Sequence, residues 1–140
     1  MKKRYFLVTM ILMLTSVVIL FTGCNLADSI VDKTLSDASK QINEQCPMKV
    51  DSETRLDNTE ALAGKIFQYN YTLVNYSKDK LTEEQINELQ NIAKTELLKT
   101  IKTNSSLKAL RDVDTTFIYV YKSNDGHEIM SLTFAPQDYK

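Results

Sequence analysis

Two cysteines and one histidine are the side chains of this chain best suited to nucleophilic or metal chemistry. His127 follows the dipeptide Asp125-Gly126, which favours a tight turn, so we expect a solvated turn residue and not a catalytic base. A glycine-rich phosphate loop is absent, because the chain has only three glycines. His and Cys also do not cluster at metal-ligand spacing. The sequence therefore predicts neither an enzyme nor a bound cofactor.

Cys24 ends a segment that has the order of a secretory leader. Residues 2–4 read KKR, and the uncharged stretch YFLVTMILMLTSVVILFT follows. The stretch is nearly as long as the roughly 20 residues that span a bilayer. An uncleaved single-pass membrane helix is therefore the alternative to a cleaved leader over residues 1–23.

Thr22 and Gly23, directly before Cys24, favour the cleaved leader, because small residues that end an apolar run at a cysteine resemble the lipobox of bacterial prolipoproteins. Phe21 stands where that family usually has Leu, Val or Ile. The resemblance implies cleavage after Gly23 and a lipid group, such as a palmitate-containing diacylglyceryl, on Cys24. It also implies an extracytoplasmic protein held on the cell membrane, or on the outer membrane of a Gram-negative host.

Charge excludes nucleic acid as a partner. The chain has 17 basic and 18 acidic residues, and three of the basic ones, Lys2, Lys3 and Arg4, lie in the leader. The remaining 14 basic and 18 acidic residues give a mature charge of −4. Such a chain has no basic stripe for phosphates. Lipidation of Cys24 would leave Cys46 as the only thiol, which we interpret as a structural cysteine.

The candidate binding residues are charged or aromatic. The stretch MKVDSETRLDN alternates apolar and charged residues, as in a strand with one solvated face, and the charged face either protects a sheet edge or recognises a cationic partner. Two tyrosines lie outside the aromatic alternation of the other strands and are candidates for surface contacts with a protein, peptide or glycan. The candidate residues are Asp51, Glu53, Arg55, Asp57, Tyr76 and Tyr139.

The elements that would position these residues follow from periodicity. Apolar residues at helical spacing predict a helix within 26–44, and alternation predicts strands at 48–58 and 65–75. Thr82 and Gln85 form a capping box that begins a long helix over 82–102. The aromatic triplets 67–71 and 117–121 share one spacing, which indicates either two central strands of one sheet or a duplicated half.

The last section predicts a hairpin whose register can be worked out by counting. A type I′ turn at Asp125-Gly126 would place Asn124 opposite His127. Large apolar residues then pair on one face, and a slip of one residue would destroy the match. The expected pairs are Tyr121 with Met130, Tyr119 with Leu132, and Phe117 with Phe134.

Together these elements predict an α+β fold, with an N-terminal helix followed by ββαββ. We expect a mainly antiparallel four-stranded sheet with one long helix on one face. The expected organisation is a leader (1–23), a helical linker or spacer (24–45) and a small domain (46–140). CP, VD, TRLD and YNYTLVN, between 46 and 75, resemble a group of uncharacterised small bacterial secreted proteins and lipoproteins. The expected function is binding of an envelope protein, with small-ligand or glycan binding as the alternative.

Overall fold

One five-stranded sheet, in the order β1-β2-β3-β4-β5, organises the part of the chain that the computed structural model describes, residues 25–140. Single 3-10 turns lie at Lys78–Lys80 and Ser105–Leu107. The helices and strands are α1 (Asn25–Asn43), β1 (Met48–Lys49), β2 (Thr54–Leu62), β3 (Ile66–Leu73), α2 (Glu83–Thr103), α3 (Lys108–Asp112), β4 (Thr116–Ser123), β5 (Glu128–Phe134) and α4 (Pro136–Tyr139). The α+β class and the N-terminal helix agree with the sequence pattern.

The sheet has five strands and mixed direction, which corrects the expected four-stranded arrangement. β1-β2, β2-β3 and β4-β5 are antiparallel, whereas β3 and β4 are parallel neighbours. The long connection through α2 allows this parallel pairing, because parallel neighbours need a crossover and not a tight turn. The aromatic triplets lie side by side, Phe67 by Phe117 and Tyr71 by Tyr121, as two central strands.

The stretch expected as one strand over 48–58 is a hairpin instead. The Asp51 carboxylate accepts hydrogen bonds from the backbone N–H groups of Glu53 and Thr54, both at 2.8 Å. Aspartate commonly forms such turns with its own backbone, and here the turn folds β1 back onto β2. The short β1 pairs only Met48 with Leu56 and Lys49 with Arg55. The fifth strand arises from this turn.

α2 begins as the sequence predicts. The Gln85 N–H donates to Thr82 Oγ1 at 3.2 Å, and the Thr82 N–H donates to Gln85 Oε1 at 2.9 Å, which completes the capping box. Leu81 and Ile86 both pack against the cluster that contains Leu73. Two unpaired N–H groups at the helix start are thereby satisfied, and the chain enters the helix at a fixed angle.

The C-terminal hairpin has the predicted register over its three apolar pairs, but its turn differs, and Ser123, not Asn124, lies opposite His127. The three expected apolar pairs are present between β4 and β5. The Gly126 N–H donates to the Ser123 carbonyl at 2.9 Å, so Asn124 and Asp125 occupy the centre of the turn. Gly126 has φ +85°, whereas neither central residue has positive φ. This pattern is a type I turn followed by a glycine bulge, and the expected type I′ turn is wrong.

Both long helices cover the same face of the sheet. The aromatic residues of β3 and β4 form the core on that face with Leu35 of α1 and Ile101 of α2, which are 1% and 0% exposed. The helix expected as a linker or spacer within 24–45 therefore packs on the sheet from Val31 onward. Its apolar stripe, with Val31, Ala38 and Ile42, is what such packing requires.

Polar contacts attach α1 to the β2–β3 hairpin at two places. Asp32 accepts hydrogen bonds from the N–H groups of Gly64 and Lys65, at 3.3 and 2.9 Å. Asn43 accepts from the Thr59 N–H at 2.7 Å and donates to the Thr59 carbonyl at 2.8 Å. Because β1 is too short to reach Thr59, the Asn43 amide takes the position of a neighbouring strand there. The Ser39 hydroxyl donates a second hydrogen bond to the same carbonyl, at 2.9 Å.

The membrane-related predictions concern residues 1–24, which lie outside the described residues. These are the leader, the cleavage after Gly23 and the lipidation of Cys24. Within residues 25–140, no helix is long and apolar enough to cross a membrane.

Candidate functional site

Four tyrosines stack on the helix-covered face and form the feature we name the tyrosine quartet: Tyr69, Tyr71, Tyr119 and Tyr121. The rings of Tyr69 and Tyr119 lie 5.0 Å apart at 7°, and those of Tyr71 and Tyr121 lie 5.1 Å apart at 15°. The parallel register of β3 and β4 aligns these pairs across the sheet. Stacked rings of this kind add packing energy beyond the burial of their area.

The quartet changes from buried to half-exposed along the strands. Tyr69 and Tyr119 are 9% and 3% exposed, whereas Tyr71 and Tyr121, nearer the carboxyl ends of β3 and β4, are only half-buried. The interpretation of these tyrosines as core residues is therefore correct for Tyr69 and Tyr119, whereas Tyr71 and Tyr121 are also partly exposed to solvent. Within the described residues, no hydroxyl of the quartet has a hydrogen-bond partner in the protein. The hydroxyls of the half-exposed pair, Tyr71 and Tyr121, are the ones available to water or to a ligand.

Burial makes the tyrosine hydroxyls poor acids. Desolvation raises the pKa of Tyr69 to about 12, and desolvation with the nearby charge of Asp51 raises the pKa of Tyr121 to about 12. The same burial, together with neighbouring hydroxyls, raises the pKa of Tyr71 and Tyr119 well above the ordinary value. The quartet is neutral at physiological pH and offers apolar rings with donor hydroxyls, which suits binding more than acid–base chemistry.

An acidic turn adjoins the half-exposed end of the quartet. The Tyr76 hydroxyl donates to Glu53 Oε2 at 3.3 Å, and the charge of Glu53 raises the pKa of Tyr76. Asp51 in the same turn has a lowered pKa because of the backbone N–H donors of its turn. Three of the predicted surface residues, Asp51, Glu53 and Tyr76, are thus close together. We call them the acidic turn, although Tyr76 reaches it from the loop after β3.

Arg55 and Asp57 belong to a different surface. Arg55 Nε donates to Asp57 Oδ1 at 2.6 Å, and the Thr72 hydroxyl donates to Asp57 Oδ2 at 2.5 Å. Thr72 alternates with the quartet residues along β3, so these groups are associated with the face opposite the helices. The register shift between Leu56 and Asn58 displaces Asp57 from the ladder. The alternating charged face expected over 51–57 is therefore divided between two surfaces.

Tyr139 is not a surface residue, which corrects its assignment as a possible binding residue. It is 5% exposed, and its hydroxyl donates to the Thr115 carbonyl at 2.7 Å. Its ring meets Phe117 edge-on at 5.6 Å. The short helix α4, which begins at Pro136, turns the chain back onto the helix-covered face of the sheet and buries the ring there.

The other chemically capable residues in the described part of the chain are His127 and Cys46. His127 is exposed beside the turn, as expected. Cys46 is half-buried, has no disulfide within residues 25–140, and has a pKa raised by burial and by the charge of Asp57. Across those residues, no group of three or more His, Cys, Asp or Glu side chains could hold a metal ion.

Four large apolar residues are exposed that were not identified from the sequence, Ile30, Val50, Leu62 and Ile92. Val50, next to the acidic turn, is 56% exposed, and Ile92 on α2 is 57% exposed. Both elements border the core face that carries the quartet. The signal available for Val50 was its position directly before the turn-forming Asp51, which interrupts the strand pattern. Ile92 gave no local signal, because apolar residues occur throughout α2.

A family match covers most of the described chain. The family described as "Domain of unknown function (DUF8479)" matches residues 29–131, and the chain therefore belongs to this family. No curated protein matches the chain in sequence.

Solved structures with the same fold come from bacterial proteins. PA3611 of Pseudomonas aeruginosa, described as a secreted protein, has a TM-score of 0.69 at 11% identity and covers 84% of this chain and 100% of its own. EpsS, the pilotin of the Vibrio vulnificus type 2 secretion system, has a TM-score of 0.61 at 8% identity, with 81% and 94% covered. AspS, the type II secretion pilotin of Vibrio cholerae, has a TM-score of 0.57 at 7% identity, with 79% and 94% covered. At these identities the similarity establishes the fold.

Proposed function

We propose that the protein is a lipid-anchored, extracytoplasmic bacterial module that binds another protein of the cell envelope and catalyses no reaction. The observation that carries the proposal is the fold shared with two secretion-system pilotins and a secreted protein. A common fold alone does not define function. The proposal therefore also depends on the leader and on the surface formed by the quartet and the acidic turn.

Attachment to the membrane would begin directly before the folded domain. The lipobox-like residues end at Cys24, and α1 begins at Asn25. Each acyl methylene contributes about 0.8 kcal/mol to membrane binding, and two chains hold a protein firmly where one does not. A diacylglyceryl group on Cys24 would thus hold the domain close to the membrane with almost no flexible tether.

The partner surface we favour is the half-exposed end of the quartet with the acidic turn. Tyrosine provides a rigid apolar ring and a polar tip, the combination enriched at protein interfaces. Val50 adds exposed apolar area, and Asp51 and Glu53 add negative charge beside it. Such a surface suits an apolar segment of a partner that is flanked by basic residues. Charge complementarity would mainly set its specificity and association rate.

Membrane attachment is tested by the intact mass and N-terminal peptide of the protein extracted from its host membrane. Loss of residues 1–23 with an acylated Cys24 is the expected result. Cys24→Ser should then leave the domain unacylated and outside the detergent phase. An unmodified chain beginning at Met1 would contradict the lipid anchor and support the membrane helix.

Partner binding is tested by site-specific photo-crosslinking in the native host. A photoreactive amino acid at Val50 or at Tyr76 should give one discrete protein adduct that Glu53→Lys abolishes. The same amino acid at Glu88, exposed on α2, serves as the matched control and should give no such adduct. Identical adducts at all three positions, or none, would contradict the proposed surface. Thermal stabilisation by a soluble envelope glycan without any adduct would instead support the glycan-binding alternative.

A further inference from the structure

The two edges of the sheet differ in how they are protected. On one side, β1 has only two residues, and charged residues and a bulge follow on β2. On the other side, β5 is the last strand, and within residues 25–140 no strand pairs with its outer edge. Residues 129–134 carry no charge and no proline. Natural proteins usually protect a free sheet edge with a very short strand, charged residues, proline or a bulge, so an edge without these features indicates a pairing surface.

The unprotected part of the edge is regular. The register shift beside Tyr121 and Lys122 leaves Ile129 as the extra residue near the turn. From Met130 to Phe134, β5 pairs residue by residue with β4. In this regular stretch every second residue directs its N–H and C=O outward at strand spacing, which is sufficient to template a short added strand.

α2 packs against β5, so one of its sides would provide side chains to a strand added at this edge. Its core-facing residues Ala93 and Leu97 pack on the same cluster as β5, and the next residues, Lys94 and Leu98, lie about 100° further around the helix. A right-handed crossover from β3 to β4 places that side of α2 away from α1 and toward the free edge. A shallow pocket of about 450 Å³ begins on this side, at Lys94, Leu98 and Lys102, and extends onto the solvent face of the helix, where it is lined by Thr95, Lys99 and Thr103.

The pocket is basic and its charges are uncompensated. None of its three lysines forms an ion pair within the described residues, although lysines elsewhere, such as Lys33 and Lys108, do. We name Lys94, Lys99 and Lys102 the lysine row. Beside the apolar Leu98, these cations favour an occupant with carboxylates on one face.

A second copy of this chain is a poor match for the edge. Pairing β5 with β5 on one face would bring the two copies of α2, with their unpaired lysines, side by side, and such like-charge contacts disfavour an interface. An extended acidic segment complements the lysines and adds no helix of its own, so it is the occupant that the surface favours.

We propose that the free edge of β5 and the lysine row together bind an extended acidic segment of a partner protein as a sixth strand. The backbone of the segment pairs with β5, and its carboxylates face the lysine row. This surface is separate from the tyrosine quartet and the acidic turn, so either surface can fail in experiment without the other.

The test uses the complete protein extracted from its membrane in neutral detergent. The probe is a fluorescent, end-blocked peptide of eight residues that alternates Glu and Thr, which places all carboxylates on one face of a strand. Binding is followed by fluorescence anisotropy. The control peptide has the same sequence with methylated backbone nitrogens, which removes strand pairing and retains the charge.

We expect the first peptide to bind and the methylated peptide to bind at least about tenfold more weakly. The variant K94Q/K99Q/K102Q should lose about tenfold in affinity, as three exposed ion pairs together would provide. The matched variant K49Q/K78Q/K80Q, which changes three exposed lysines elsewhere, should stay within about twofold. Equal binding of the methylated peptide, equal loss in both variants, or no binding at all would overturn the proposal.

Discussion

Asn43→Ala tests the attachment of α1 to the sheet. The Asn43 side chain is hydrogen-bonded to both the N–H and the carbonyl of Thr59, at 2.7 and 2.8 Å. After the substitution the Ser39 hydroxyl still donates to the Thr59 carbonyl, at 2.9 Å. The N–H of Thr59 is therefore the group left without a hydrogen-bond partner. Thr59 is 1% exposed, and water therefore has poor access to that N–H.

An unsatisfied buried donor costs about 1–3 kcal/mol. Alanine is a better helix former than asparagine by about 0.5 kcal/mol, which offsets part of this loss. We expect a net loss of about 1.5 kcal/mol in the free energy of unfolding, or about 6–12 °C in Tm for a domain of about 100 residues. Asn43→Asp retains the acceptor for the Thr59 N–H and should lose less.

Urea denaturation followed by circular dichroism measures these differences, with Gln41→Ala as the control on an exposed position of the same helix. A loss for Asn43→Ala within about 0.5 kcal/mol of that control would refute the reasoning, because surface substitutions lie in this range. Such a result would mean that the backbone N–H of Thr59 finds a hydrogen-bond partner without the Asn43 side chain.

Three further expectations concern the turn, the buried C-terminus and the quartet. Gly126→Ala should lower the free energy of unfolding by about 1–2 kcal/mol in urea denaturation, because Gly126 has φ +85°, a conformation unfavourable for residues with a Cβ. An added Cβ meets no atom within 4 Å, so a steric clash does not contribute, and Gly126→Asn should cost less because asparagine tolerates this conformation. Tyr139→Phe should cost about 1–2 kcal/mol through the lost bond to Thr115, whereas Tyr121→Phe should change stability by less than about 0.5 kcal/mol; equal losses would contradict the contrast. In a tyrosinate absorbance titration, Tyr69 and Tyr121 should ionise near pH 12 in the folded protein against 10.0 when unfolded. The unfolded chain then releases these protons first, so stability should be complete below pH 10 and fall above it; a stability that is flat until pH 12 would contradict the assignment.

Local patterns in the sequence predict local structure well here. The capping box at Thr82 and the register of β4 with β5 depend on residues close together in the chain, and both are present. The register could be derived because one face of the hairpin is buried, so that only one alignment puts all large apolar residues inside.

The missed features depend on contacts between distant residues. Periodicity indicates that β3 and β4 are strands, but it does not distinguish parallel from antiparallel neighbours joined by a long helix. Tyr139 gives no sequence signal of burial, because its environment comes from Phe117 and Thr115 across the fold. Likewise, Val50 and Tyr76 are separated by 26 positions, and only the turn at Asp51 brings their neighbourhoods together.

The two polar attachments of α1 have a mechanical consequence for a domain tethered at Cys24 as proposed. Tension from the membrane would enter at the first residue of α1, and the helix is held close to its middle by Asp32 and at its other end by Asn43. A pull along the helix axis would load both attachments and the apolar stripe between them together, in shear. A pull perpendicular to the helix axis would instead break the two attachments one after another. Loaded in shear, the attachments would resist extraction of α1 from the domain and would pass the force from the proposed anchor into the sheet that carries the proposed partner surfaces.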